Sequence, residues 1–241
     1  MKIFVLFRTF LWQSSSCKFG AHVRLKSFLG GLAVPCLFCA FTFEALAAEP
    51  TIVYRNDFQT NQAGKLPEDM LVLDGNFSIK SEGTNKFLQL PGAPLDTFSV
   101  QFGPIQTNPA CVSAVIRSTA KGRRAPSFGV GLYGVAGFRL QVSAAKQSLE
   151  ILKDQTSFAS VPFDWKPGEW TILRLQAHSL PHTMWKIEGK AWTKGQPEPP
   201  AFQVSAEYKA DSPLTGRCSV FGSPFAGTPI QFDDFEVADL K

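Results

Sequence analysis

The sequence is poor in the residues from which metal and nucleophilic centres are usually built, with three histidines and five cysteines among 241 residues. His178 and His182 have Pro181 between them, which argues against a helical pair of imidazoles on one metal, and no serine or cysteine nucleophile motif accompanies them. No apolar run reaches the ~20 residues of a membrane-spanning helix. Amphipathic helical periodicity sustained over three turns is missing, as are internal repeats. Glycine and proline, by contrast, are frequent, at 19 and 17 residues. They punctuate the chain at short intervals, and the apolar residues between them recur with a period near two. That pattern predicts an all-β protein, a two-sheet antiparallel jelly-roll sandwich.

The N-terminus reads as an export leader. Residues 28–43 form a nearly uncharged apolar run, preceded by Arg24 and Lys26 and followed by Ala45-Leu46-Ala47, the order of basic, apolar and small-residue regions in a secretory signal. Cleavage is expected after Ala47, giving a leader over residues 1–47 and one domain over residues 48–241, secreted or periplasmic. The region before Arg24 is long for a leader, which suggests translation starting near Val23. The leader takes five basic residues and one acidic residue from totals of 24 and 20, leaving 19 of each. The mature chain is therefore neutral. Its charge gives no reason to expect nucleic acid as a partner, and no membrane insertion is expected after cleavage. Cys17, Cys36 and Cys39 also leave with the leader, so the Cys36-x-x-Cys39 spacing is not a redox or zinc motif. Cys111 and Cys218 remain, and the spacing leaves a disulfide and two buried thiols equally open.

Along the mature chain, Asp74-Gly75 predicts a hairpin between residues 71–73 and 77–79, and residues 82–85 a second tight turn. Residues 127–192 read as one continuous meander. Within it Phe128, Val130 and Leu132 alternate with Gly129, Gly131 and Tyr133, giving a core face and a nearly bare floor beside a tyrosine. Gly129-Val130-Gly131-Leu132-Tyr133-Gly134 matches a dinucleotide fingerprint by letter, but strand periodicity follows where the fingerprint needs a helix. In the closing stretch Phe232 and Phe235 lie on opposite parities, which calls for a bulge at Asp233-Asp234 or for cover on both faces.

Five short segments together resemble the concanavalin A-like lectin and glucanase superfamily, with the laminin G-like secreted domains nearest in character. They are Tyr54-Arg55-Asn56-Asp57-Phe58, Asp74-Gly75-Asn76-Phe77, Gly168-Glu169-Trp170-Thr171-Ile172, Ile187-Glu188-Gly189-Lys190-Ala191-Trp192 and Phe232-Asp233-Asp234-Phe235-Glu236-Val237. The resemblance implies two antiparallel sheets packed face to face, first and last strands side by side, and a concave face that often meets carbohydrate. It does not imply one activity, because hydrolases, lyases, lectins and structural modules share this fold.

The Glu-x-Asp-x-Glu pattern of the glucanase branch is absent, and the nearest pair of acids is Asp234 and Glu236. Acids on a terminal strand more often serve structure than catalysis. Asp57, Asp233 and Asp234 could together hold a structural calcium, against hydrogen bonding to neighbouring backbone. Sugar recognition combines an aromatic ring with planar donors and acceptors, and the outward positions Tyr133, Arg139, Gln141, Arg174, Gln176 and Trp192 supply those types. The expected function is an exported, non-catalytic module that binds glycan or another surface polymer. A glycoside hydrolase or lyase of the same fold, and a structural or adhesion domain, are the alternatives. N-terminal sequencing of the exported protein should begin at Ala48.

Overall fold

The computed structural model describes residues 50–240, and the expected leader lies outside them. Fifteen strands are formed: β1 Thr51–Asn56, β2 Leu71–Asp74, β3 Ser78–Glu82, β4 Asn85–Leu90, β5 Phe98–Gln106, β6 Ala110–Ser118, β7 Ser127–Leu132, β8 Phe138–Ser143, β9 Ser148–Lys153, β10 Thr156–Pro162, β11 Thr171–Ser179, β12 Met184–Thr193, β13 Val204–Lys209, β14 Gly216–Ser223 and β15 Ile230–Asp239. They build two antiparallel sheets. The eight-stranded sheet runs β13-β12-β11-β6-β15-β4-β3, with β1 also on β15, and the seven-stranded sheet runs β10-β9-β8-β7-β14-β5-β2. Every strand pairing is antiparallel. Among the described residues no helix is long and apolar enough to cross a membrane.

The core lies where the alternating apolar sets of the two sheets meet. Val112, Ala114 and Ile116 of β6, Leu173 and Leu175 of β11, and Phe232, Phe235 and Val237 of β15 face Phe128, Val130 and Leu132 of β7, Leu140 of β8 and Val220 of β14, all fully buried. Gly189 of β12 shows how tightly the sheets pack: a Cβ there would lie 2.4 Å from Leu140 Cδ1 on the opposite sheet.

One expected hairpin and one stretch of the expected meander are sheet crossings instead. Asp74-Gly75 joins β2, which pairs with β5 in one sheet, to β3, which pairs with β4 in the other. Asp74 Oδ1 accepts the Gly75 N–H at 2.7 Å, and Gly75 has φ +100° with a Cβ position only 2.7 Å from Phe98 Cβ. The glycine is needed there to turn the chain against Phe98, not to close a ladder. Residues 163–170 carry the chain from β10 to β11, dividing the expected meander over residues 127–192 into β7-β8-β9-β10 in one sheet and β11-β12 in the other. Alternation marks a strand's two faces but carries no label for the sheet it joins.

The last strand does adjoin the first. β6 pairs along one edge of β15, while β4 and then β1 pair along the other, meeting Ile230–Phe232 and residues 235–239 in turn. The register shifts between Asp233 and Glu236, and Asp234 has φ +49°. This bulge allows Phe232 and Phe235 both to be buried, and Phe235 meets Phe58 at 5.0 Å edge-on and Phe102 at 4.4 Å. Asp233, 3% exposed, braces the bend: its Oδ1 accepts the Asp234 N–H and its Oδ2 accepts Asn85 Nδ2, both at 2.9 Å.

Burial raises the Asp233 carboxyl above the usual range, while the Asn85 and backbone hydrogen bonds oppose the rise. The native state thus favours the protonated acid, and this group's contribution to stability declines as pH rises from about 4 through its raised native value. Asn85→Ala removes a donor to the charged form. It should lower unfolding stability at pH 7 by about 2 kcal/mol, with the deficit shrinking as pH falls through the Asp233 titration. Denaturant melts of both proteins across pH 4 to 7 test this.

Candidate functional site

The two sheets present outer faces of different electrostatic character. On the eight-stranded sheet, the register puts Arg174, Lys190, Ser113 and Glu236 side by side, with Gln176, Glu188 and Cys111 in the next row. Glu198 accepts from both Arg174 and Lys190 at 2.7 Å, and the Lys190 ammonium lies 4.6 Å from the Phe202 ring centre. Glu188 takes Gln176 at 3.1 Å and Lys186 at 2.7 Å, and Arg55 holds Glu236 at 2.6 Å. The face is a network of its own ion pairs, partly covered by the β12–β13 connection that carries Glu198 and Phe202.

On the seven-stranded sheet one row across the outer face reads Leu152, Arg139, Gly131, Ser219, Gln101 and Leu71, and the next reads Ser160, Glu150, Gln141, Gly129, Phe221 and Ser99. Gly129 and Gly131 lower the centre. A Cβ at 129 would meet Leu140 O at 2.0 Å and Phe221 Cζ at 2.6 Å, and a Cβ at 131 would meet Ser219 Oγ at 2.5 Å. Phe221 therefore lies against bare backbone. The Arg139 guanidinium sits over its ring, 5.1 Å from the centre, and only 2% of Phe221 is exposed.

Beside this floor a polar chain is fixed. Gln141 Nε2 donates to Ser143 Oγ at 2.7 Å, which donates to Glu150 Oε2 at 3.1 Å, while Ser148 Oγ and Lys146 Nζ reach Glu150 Oε1 at 3.0 and 3.3 Å. Only 4% of Glu150 is exposed, so these donors replace the water that a carboxylate would otherwise require. Hollows open towards both edges. One, of about 700 Å³, is lined by Lys146, Ser148, Ser160, Pro162 and Asp164, and another, of about 470 Å³, by Glu68, Leu71, Gln101, Gly134 and Arg217.

The six residues expected to share a sugar site do not share a surface. Arg139 and Gln141 lie on the outer face of the seven-stranded sheet, and Arg174, Gln176 and Trp192 on that of the eight-stranded sheet. Trp192, expected among the outward positions, does lie on the outer face but is only 9% exposed, with the Arg174 guanidinium 5.9 Å from its ring centre. Tyr133 belongs to neither face. Its φ of +63° breaks the alternation that placed it beside the glycine floor; the side chain is buried at the strand end, edge-on to Trp185, and its hydroxyl donates to Asn108 O at 2.8 Å. Ser219, Gln101 and Glu150 were missed in the sequence because strand pairing, which parity does not encode, brings them beside Arg139 and Gln141. Phe221 adjoins Val220, so apolar character could not say which of the two faced out.

The acidic candidates are engaged by protein groups. Asp234 binds Lys194 at 2.8 Å and Glu236 binds Arg55. Asp57 Oδ1 accepts the Gln59 N–H at 3.1 Å, and Asp233 accepts from Asn85 and the Asp234 backbone. Among the described residues, no three His, Cys, Asp or Glu side chains gather as a metal site.

Cys111 and Cys218 are both free thiols. Cys218 points into the core from β14, whereas Cys111 alternates with the core residues Ala110 and Val112 and so faces outward from β6, with the sheet itself between the two sulfurs. That placement replaces the disulfide alternative with two thiols.

No protein-family model matches the chain, and no curated protein sequence does. Solved structures do share its fold. The carbohydrate-binding module CBM66 from Bacillus subtilis aligns with TM-score 0.50 at 9% identity, over 71% of this chain and 96% of that one. The carbohydrate recognition domain of Emp47p aligns with TM-score 0.51 at 13% identity, over 80% and 97%. A xylan beta-1,4-xylosidase from Bacillus halodurans aligns with TM-score 0.51 at 15% identity, over 77% of this chain but 39% of its own. At these identities the similarity establishes the β-sandwich fold.

Burial pushes the Cys111 thiol up to about 12 and that of Cys218 higher still, so neither is a thiolate at neutral pH. Thiol titration of residues 48–241 without reductant should find two thiols after denaturation and slow or no reaction in the native state. A native intermolecular or intramolecular disulfide on non-reducing mass analysis contradicts this placement.

Proposed function

We propose that the chain is an exported carbohydrate-binding module of the concanavalin A-like, laminin G-like kind, secreted or periplasmic, which takes a glycan chain across the outer face of its seven-stranded sheet. The observation that carries this reading is the contrast between the faces. On the eight-stranded sheet Arg174 and Lys190 are already held by Glu198, Glu188 by Lys186 and Glu236 by Arg55, whereas Arg139, Gln101 and Ser219 surround a glycine-lowered floor without a side-chain partner among the described residues. A sugar chain offers many hydroxyls, and planar amides and guanidinium groups present donors and acceptors to them in a fixed geometry.

The hollows towards either edge extend the floor across the strands, which suits an extended polymer better than a small enclosed ligand. The neighbours titled as a carbohydrate-binding module and a carbohydrate recognition domain, each covered almost over its full length, support the same reading. The buried Glu150 chain serves as a rigid mount, because Gln141 is oriented through Ser143 by a carboxylate that is itself held from three sides.

Affinity electrophoresis over a panel of soluble polysaccharides tests the function and the face together. Gln101→Ala and Gln141→Ala should each weaken binding about fivefold, the worth of roughly one hydrogen bond, while Arg174→Ala and Gln176→Ala leave it unchanged. Loss confined to the Arg174 and Gln176 variants would move the site to the other sheet, and failure to bind any polysaccharide would end the glycan reading.

A further inference from the structure

We infer that the glycan is anionic, carrying carboxylate or sulfate groups, and that Arg139 is the residue that selects for them; this rests on the glycan-binding reading above. Arg139 stands out among the cations of the sandwich. Arg55, Arg117, Arg174, Lys186, Lys190 and Lys194 each hold a carboxylate of the protein, and all of these pairs involve the eight-stranded sheet or its connections. Arg139 is partly buried in the middle of the other sheet. It makes no ion pair or side-chain hydrogen bond among the described residues; its guanidinium lies over the face of Phe221, and Asp154 acts on it through charge without forming an ion pair with it.

A half-desolvated guanidinium without an acceptor is an unfavourable arrangement unless something else supplies the acceptor. The Phe221 ring contributes through its π face and can accept none of the five N–H bonds, which leaves the planar fork free for an oxyanion. Carboxylate and sulfate oxygens match that fork, and bonds to them are about twice as strong as those to a neutral hydroxyl.

The surroundings favour this occupant. Gly131, beside Arg139 in the row, has no side chain; a Cβ there would lie 2.5 Å from Ser219 Oγ and 3.7 Å from Arg139 Cγ, so the glycine lets the Ser219 hydroxyl, a neutral group and not an acid, stand next to the arginine stem. The nearby acids are already committed. Glu150 is buried and held by Ser143, Ser148 and Lys146, and Asp154, at the sheet edge, lies 3.5 Å from Lys153. Arg217, in the hollow beyond Gln101, spends one bond on the Asp69 backbone carbonyl and has no carboxylate partner among the described residues; Glu68 in the same hollow is the acid a bound anion must avoid. Desolvation also makes the Arg139 cation less comfortable than an exposed one, in keeping with a site completed by a counter-charge.

Affinity electrophoresis of the full chain in matched polymers provides the test: polygalacturonate against its methyl ester for carboxylate, and dextran sulfate against dextran for sulfate. The wild-type protein should bind at least one charged polymer about tenfold or more tightly than its neutral counterpart, more weakly as salt rises, and the pair that shows the difference identifies the anion. Arg139→Met should abolish the difference and leave the residual neutral binding, while Arg139→Lys should restore part of it by charge without the fork. Unchanged thermal melting of both variants separates this from loss of fold. Equal binding to charged and neutral members, or a preference that survives Arg139→Met, overturns the inference while leaving the glycan-binding reading intact. Failure to bind any polymer, here or in the wider panel, removes both.

Discussion

The bulge in β15 is the constraint on which the sandwich depends. A regular strand at this position would turn either Phe232 or Phe235 out of the core, because their parities differ. With Asp234 in the left-handed region both rings are buried, and the strand bends so that β4 pairs with its first part and β1 with its last, while β6 follows the opposite edge. The first and last strands are thereby fastened into one sheet. Asp233 makes the bend tolerable by accepting a backbone N–H inside the bulge and the Asn85 amide from β4, so the turn and the neighbouring strand are fixed by one carboxylate.

With the first and last strands joined in this way, the two outer faces differ in how their charges are met. The eight-stranded sheet covers itself. Arg55 of β1 holds Glu236 of β15, and the adjacent cations Arg174 of β11 and Lys190 of β12 share Glu198 from the connection that also lays Phe202 against Lys190. Such pairs contribute little individually to stability, but they leave few polar groups waiting for a partner. The seven-stranded sheet does the reverse, placing glycines at its centre and holding Gln141 and Arg139 above them. Phe221 and Glu150 are the supports, one beneath a cation and the other behind an amide. Rigid support for a small number of unsatisfied groups is what a recognition surface needs, since less ordering remains to be done on binding.

The candidate site was legible only in fragments. Gly129 and Gly131 announced a bare floor, and Arg139 and Gln141 were identified as outward by parity. Their companions were not, because which strand lies next to β7 depends on long-range pairing: β14 arrives there from about ninety residues later in the chain and brings Ser219 and Phe221 with it. Arg174, Gln176 and Trp192 were grouped with Arg139 because residues 127–192 read as one meander. The crossing after β10, between two stretches of similar alternation, sent them to the opposite surface.

The sequence by itself determined the strand class, the inward and outward sets of most strands and the break in the last strand, which follow from local parity and turn chemistry, properties of residues near one another in the chain. The adjacency of first and last strands was implied only by the family resemblance, and the pairing of β1 with β15 agrees with it. Only the tertiary structure decided which sheet each strand joins, which face has its charges spent, where Tyr133 and Trp192 are covered, and that Cys111 and Cys218 stand on opposite sides of a sheet. Those outcomes depend on packing one sheet against another, and a period of two is identical in both.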